Sequence, residues 1–432
     1  MSLTSTDRIP GRIWYRTAVA GMASYLDAAA IVSTGTALVL YTDVFGLSAG
    51  QIGQLSFILT FLMAFGALFG GRLADRYGRK RVFLATMSLY IVGAAILALA
   101  PSVTFLYIGM ILLGFAVGAD LPASLAMIAE EAPPQHRGKL ISFSHILWLV
   151  GVLASQLLGM VIGGMGETGG RILYAHVLIL AVVTLVLRAS MPESKKWQAQ
   201  HDAAGVSASS DMDMGTIKRL VSGPYLRPMV AVAVFYALVN IGANTGGQFS
   251  TYMYVELAGS TVSFASMVGF VTFLIAFAAT YFLMRIVDGA NRMKWFAGMA
   301  VLYSAGYLIP VVFGVNVLPL VFMAAIGNIA GAVAGEPMFK VWAQELIPTT
   351  YRSTAQGFMI FFTRVVAAFV ALWTPTLLEI SPNVLFVFVA ACIAVGGLLG
   401  VFYINKFPRV ADTEDDVDAA EGAVKVEALD VR

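Results

Sequence analysis

Residues 71–81 read GRLADRYGRKR, a basic stretch set between two apolar runs at 51–71 and 82–100. The same charges return in the same register far downstream. Arg72, Asp75, Arg79 and Arg81 are matched by Arg285, Asp288, Arg292 and Lys294, each displaced by 213 residues. A second pattern repeats as well: Glu130, Pro133 and Arg137 spell E-x-x-P-x-x-x-R, and Glu345, Pro348 and Arg352 spell it again 215 residues on. Charges recurring at one long spacing mark duplication of a unit about half the chain in length. An even number of apolar runs separates the copies, so both halves have the same topology and are related by a pseudo-two-fold axis along the membrane normal.

The rest of the chain says what the duplicated unit is. Of 432 residues 59% are hydrophobic and only 12% charged, and the mean hydropathy is +0.82. A soluble core cannot absorb that much apolar surface. A lipid-spanning helix needs roughly 20 mostly apolar residues. Twelve such runs are found near 16–40, 51–71, 82–100, 104–129, 140–163, 171–190, 228–255, 262–284, 294–313, 317–345, 353–378 and 384–404. They are too long and too uniformly apolar for the alternating strands of a barrel. The fold class expected is therefore an all-α membrane protein, with twelve transmembrane helices in two six-helix bundles. The domains are 1–193 and 225–408, joined by a polar cytoplasmic linker at 194–224 and followed by a disordered acidic tail at 409–432.

Charge placement sets the orientation. All but three of the 27 Lys and Arg (Arg171, Lys340 and Arg364) fall in segments that share one side when the N-terminus is inside. The positive-inside rule then puts both termini in the cytoplasm of a cell-membrane protein. No cleaved signal peptide is expected, because residues 1–15 are polar. The single cysteine, Cys392, lies in the last apolar run and cannot form an intramolecular disulfide. No basic tract suits nucleic acid. The stretch GMGETG at 164–169 fits a phosphate-cradle spacing but follows no strand, and Walker A, metal-ligand and nucleophile-elbow patterns are absent. An enzyme is not expected, nor a cofactor or metal.

Ionisable groups inside apolar runs are costly and mark sites by default. Asp27, Asp120, His145, Glu336, Lys340 and Arg364 are such groups. Asp27 falls ~16 Å into the first run, near mid-membrane. Glu336 and Lys340 are spaced for a mutual pair. In the seventh run, Asn240, Asn244 and Gln248 recur every four residues on one face, beside glycines that can loosen the helix. That stripe offers neutral donors and acceptors to solute hydroxyls; interhelical hydrogen bonding is the competing account. Gly66 with Gly70, and Gly327 with Gly331 and Gly335, follow the small-xxx-small packing pattern.

The loop at 71–81 closely resembles the loop between helices two and three of the major facilitator superfamily. The segment EEAPPQHRG at 130–138 and MPES at 191–194 resemble its sugar porter branch. The resemblance implies a rocking fold with a central cavity and proton-coupled uptake of a sugar or cyclic polyol such as inositol, with an organic acid or sugar acid as the alternative solute. It places a proton site at Asp27, with Asp120 nearby, and a solute-binding residue at His145, where sugar porters carry a Gln. The Arg that partners such an Asp in the fourth helix is missing, for Met110 stands there. A carboxylate stranded without its cation would take up and release protons; the alternative is a fixed ion pair with Arg364. Solute contacts are expected from His145, Asn240, Asn244, Gln248, Glu336 and Arg364. Gating is expected from Arg72, Asp75, Arg76, Arg79, Glu130, Arg137, Asp288, Arg292, Glu345 and Arg352, whose charges could bridge the halves in one state and separate in another. The expected partners are a small polar solute, protons and the bilayer, and a monomer is expected.

Overall fold

The structure is a computed structural model that describes residues 9–133, 136–194, 197–198, 223, 225–286, 289, 291–347 and 349–409. Most of the expected linker at 194–224 and of the expected tail at 409–432 lies outside the described residues. Among the described residues thirteen α-helices build the bundle: α1 (Gly11–Phe45), α2 (Ala49–Tyr77), α3 (Arg79–Ala98), α4 (Val103–Glu131), α5 (Arg137–Ile162), α6 (Glu167–Ala189), α7 (Leu226–Tyr252), α8 (Val262–Ile286), α9 (Arg292–Phe313), α10 (Val317–Ala334), α11 (Glu336–Glu345), α12 (Thr349–Ile380) and α13 (Pro382–Phe402). Together they make 12 segments long and apolar enough to cross a membrane, the tenth being α10 and α11 in series. Large apolar side chains such as Ile179, Val186, Val301, Val312 and Ile380 stand on the outside of the bundle. In water such a surface would drive association; in a bilayer it faces lipid.

The duplication is visible in the packing. In the first half α1 packs on α5 and α6, α2 on α4, and α3 on α4 and α6. In the second half the corresponding pairs recur: α7 on α12 and α13, α8 on α10, and α9 on α10 and α13. The halves meet along α2 with α12, along α5 with α8, and along α1 with α7 on the axis itself. Each cross-half pair is the symmetry mate of another or of itself, as a two-fold demands.

Two segments depart from uniform helix, one of them away from the place its glycines suggest. The tenth segment breaks between Ala334 and Glu336 at Gly335, whose backbone angles of φ −100 and ψ −133 are not helical. Pro337 then opens α11, where its missing N–H costs nothing. Gly335 is thus a break and not only a packing glycine. Helix α7 runs unbroken past Gly242, Gly246 and Gly247, so the loosening expected there is absent, and its irregular π turn comes later, at Met253–Leu257.

Candidate functional site

Asp27 lies mid-way along α1 with 3% of its side chain exposed, and both its oxygens are engaged. The Trp148 indole N–H on α5 donates to Oδ2 at 3.0 Å. The Arg364 guanidinium on α12 donates to Oδ1 at 3.3 Å. The cation comes from the opposite half of the molecule, which corrects the expectation of a carboxylate without a partner. Met110, at the position where the resemblance looks for an Arg, is completely buried among apolar neighbours. The sequence pattern does not single out Trp148, one aromatic among many in an apolar run. Its ring is held between the His145 imidazole, stacked at 5.9 Å, and Phe273 of α8 at 6.2 Å.

A second charged group stands close by. Glu336 begins α11, where the positive end of the helix dipole favours a carboxylate, and it pairs with Lys340 at 2.8 Å. Their side chains keep 44% and 49% of their accessible surface. His145 is exposed and feels the charges of both, and Tyr236 on α7 is a hydrogen-bonding neighbour of Glu336 that also feels Arg364 and Asp27. Charged groups that stay accessible midway along apolar helices are facing water rather than lipid, so they line a wet cleft between the halves. Asn240 and Asn244 are half-buried on α7. Gln248 is buried, donating to Thr60 of α2 at 2.9 Å across the halves, with its Oε1 left without a partner.

Asp120 does not open onto that cleft. Arg188 of α6 pairs with it, and Thr86 and Ser124 donate to it as well. Arg188 also donates to the Val19 and Ala20 carbonyls and lies over the Phe83 ring, leaving no exposed surface. The expectation that Asp120 acts on the proton site is corrected: it is one half of a sealed pair, because a cation reaches it from α6. By sequence alone Arg188 counts among the cytoplasmic anchors. The available signal is its place within the apolar run 171–190.

At the end remote from the GRLADRYGRKR loop the halves are closed. A methyl group on Gly35 would overlap the Gln248 carbonyl, and one on Gly53 the Leu372 carbonyl. The Thr36 and Thr251 hydroxyls meet at 3.3 Å, and Phe57 packs on Phe369 at 5.3 Å. At the basic end, two ion pairs among the described residues each lie within one half. Arg79 on Glu130 at 2.7 Å and Arg292 on Glu345 at 2.6 Å are repeat-related copies of one another. In this arrangement Arg79 and Arg292 each meet the Glu of their own duplicated unit. Glu193 of the MPES segment accepts from the Arg79 and Lys80 backbone N–H groups, capping α3, and Arg16 pairs with Glu131 at 2.6 Å. Arg72 and Arg76 are exposed, the latter over the Tyr77 ring. The side chains of Asp75, Arg137 and Arg352, and residue Asp288 altogether, lie outside the described residues.

Comparison with known proteins gives this geometry a context. The family description "Major Facilitator Superfamily" matches residues 17–372. The minor myo-inositol transporter IolF of Bacillus subtilis (strain 168) is 30% identical over 396 residues, covering 90% of each chain. The putative niacin/nicotinamide transporter NiaP of the same organism is 26% identical over 355 residues, covering 81% of this chain and 84% of that one. Among solved structures, a D-xylose-proton symporter superposes with a TM-score of 0.73 at 20% identity, covering 92% of this chain and 98% of that chain.

Proposed function

The chain belongs to the major facilitator superfamily, and on that premise we propose that it imports a small polar solute, a sugar or cyclic polyol such as inositol, by proton symport with alternating access. The observation that carries the reading is Asp27: a carboxylate held at mid-membrane between the halves, beside a wet cleft that is closed at one end. Asp27 is the proton site. His145, Asn240, Asn244, Gln248, Glu336 and Arg364 supply donors and acceptors for hydroxyl groups. The myo-inositol in the name of the 30% identical relative supports this solute class. With both termini in the cytoplasm of the cell inner membrane, the basic end is the inner one and the cleft opens inward. Two six-helix units joined by residues 194–224 then rock about the cleft. Arg72, Asp75, Arg76, Arg79, Glu130, Arg137, Asp288, Arg292, Glu345 and Arg352 form the inner gate.

Uptake into proteoliposomes with hexoses, inositols and carboxylates, with and without an inward proton gradient, tests the proposal. Asp27→Asn should keep counterflow and lose gradient-driven accumulation; accumulation equal to wild type would exclude Asp27 as the coupling site. A second reading, transport of an organic acid or sugar acid, is favoured by the two cations at the cleft, Arg364 and Lys340. Loss of acid transport with neutral-solute transport intact in Arg364→Ala would decide for it.

A further inference from the structure

The two oxygens of Asp27 are held by two donors of different kinds, one from each half of the molecule. Trp148, in the same half, gives Oδ2 an indole N–H at 3.0 Å; Arg364, in the opposite half, gives Oδ1 a guanidinium N–H at 3.3 Å. An indole nitrogen only donates, and so does a guanidinium. Each contact therefore uses a lone pair on its oxygen; a protonated carboxyl oxygen keeps a lone pair but accepts more weakly, and the negative charge that strengthens both contacts is gone. The contact at the oxygen that takes the proton is the one that weakens most.

We infer that Trp148 is a positioning residue that directs the incoming proton to Oδ1, so that protonation of Asp27 breaks the bond joining the two halves. This rests on the reading of Asp27 as the proton site. The choice of oxygen follows from what each donor loses. Trp148 is held between His145 and Phe273, and its neutral indole N–H keeps a good acceptor in Oδ2 as long as that oxygen stays a carbonyl. Arg364 keeps 22% of its side-chain surface exposed and can be rehydrated from the cleft. It also loses the most by protonation, since its partner's charge is gone, whereas a neutral carbonyl oxygen still accepts well from an indole. A proton from cleft water thus binds Oδ1, the guanidinium stays charged and turns to water or solute, and the carbonyl oxygen Oδ2 remains on Trp148. The other ionisable groups around Asp27 are Tyr25 on α1 with His176 on α6, Tyr90 on α3, the closed Asp120 and Arg188 pair on α4 and α6, His145 on α5, Tyr236 on α7, and Glu336 with Lys340 on α11. Among the described residues, the hydrogen bonds to the Asp27 oxygens come from Trp148 and Arg364 and not from these groups.

Infrared difference spectra of the full chain in liposomes, taken between alkaline and acid pH without solute, test the inference. Wild type should gain a carboxylic-acid C=O band that Asp27→Asn abolishes, and Trp148→Phe should shift that band to higher wavenumber, because its carbonyl has lost a hydrogen bond. A band unmoved in Trp148→Phe would overturn the role of Trp148 while leaving Asp27 as the proton site. Difference spectra of wild type and Asp27→Asn that carry the same C=O intensity would instead remove the underlying reading. Should Trp148→Phe fail to fold, wild type carrying ¹⁵N-indole tryptophan answers the question: the Trp148 N–H resonance should remain hydrogen-bonded on both sides of the Asp27 midpoint. Its release on acidification would overturn the inference.

Discussion

Arg188 brings a full charge into a place without water, and everything around it is arranged to tolerate that. Its guanidinium meets the Asp120 carboxylate, the Ser124 hydroxyl and two carbonyls of α1, over the face of Phe83. A buried pair adds little net stability, but deleting one member strands the other, at about 3–5 kcal/mol. Arg188→Ala should therefore lower the melting temperature of purified protein in detergent more than the double variant Arg188→Ala with Asp120→Asn. A double variant as unstable as the single would show that the cation is not there to serve Asp120. The ion pairs of Asp27 and Asp120, both buried at membrane depth, differ in how far the sequence reveals them. Asp27 announces itself, because a carboxylate in an apolar run is too costly to stand there without a use. Its partner Arg364 lies 337 positions away, and the sequence offers that pair only as an alternative to a carboxylate without a cation. Arg188 is hidden by its address: at the end of an apolar run, an Arg reads as an interfacial anchor, and only packing shows that it points inward.

A helix long enough to span a bilayer can be counted from hydropathy, but its ends and its breaks answer to other forces. The first helix begins at Gly11 and ends at Phe45, several residues beyond the apolar run at each side, since its backbone hydrogen bonds continue into the polar margins. The interruption at Gly335 is open to reading in the G-E-P sequence at 335–337, where a glycine and a proline flank a carboxylate in an apolar segment, yet the regular glycine spacing suggests packing alone. Discontinuous spans of this kind tend to carry binding groups, and here the break puts Glu336 on the cleft. Close helix approach gives the sharper test. Gly35 of α1 abuts the Gln248 carbonyl of α7, so Gly35→Val cannot be seated while the halves are closed at that end. In a background with Cys392→Ser, Thr36→Cys should then be labelled by an impermeant maleimide, applied on the side remote from the basic loops, far faster than without the Gly35 substitution. Unchanged labelling would mean that α1 and α7 have another way to accommodate the side chain.

The whole molecule is held asymmetrically although its two units are copies. At the end far from the basic loops, the halves meet through neutral groups: Thr36 with Thr251, Gln248 with Thr60, and glycines against carbonyls. At the basic end, strong ion pairs stay inside each unit. Such a division suits a molecule that must part at one end and remain intact within its units, because neutral hydrogen bonds of about 0.5–1.5 kcal/mol each are easily exchanged, while the intra-unit ion pairs keep each bundle rigid. In the proposed cycle, opening of that end separates Thr36 from Thr251. Thr36→Cys combined with Thr251→Cys, again without Cys392, should form a disulfide on mild oxidation, since the hydroxyl oxygens they replace are 3.3 Å apart. Oxidised protein should fail to transport and recover fully with reductant, while the reduced form works at close to the wild-type rate. Full transport by the cross-linked protein would mean that this contact never opens in the cycle, and that solute enters by a route the two-fold packing of α1 on α7 does not control.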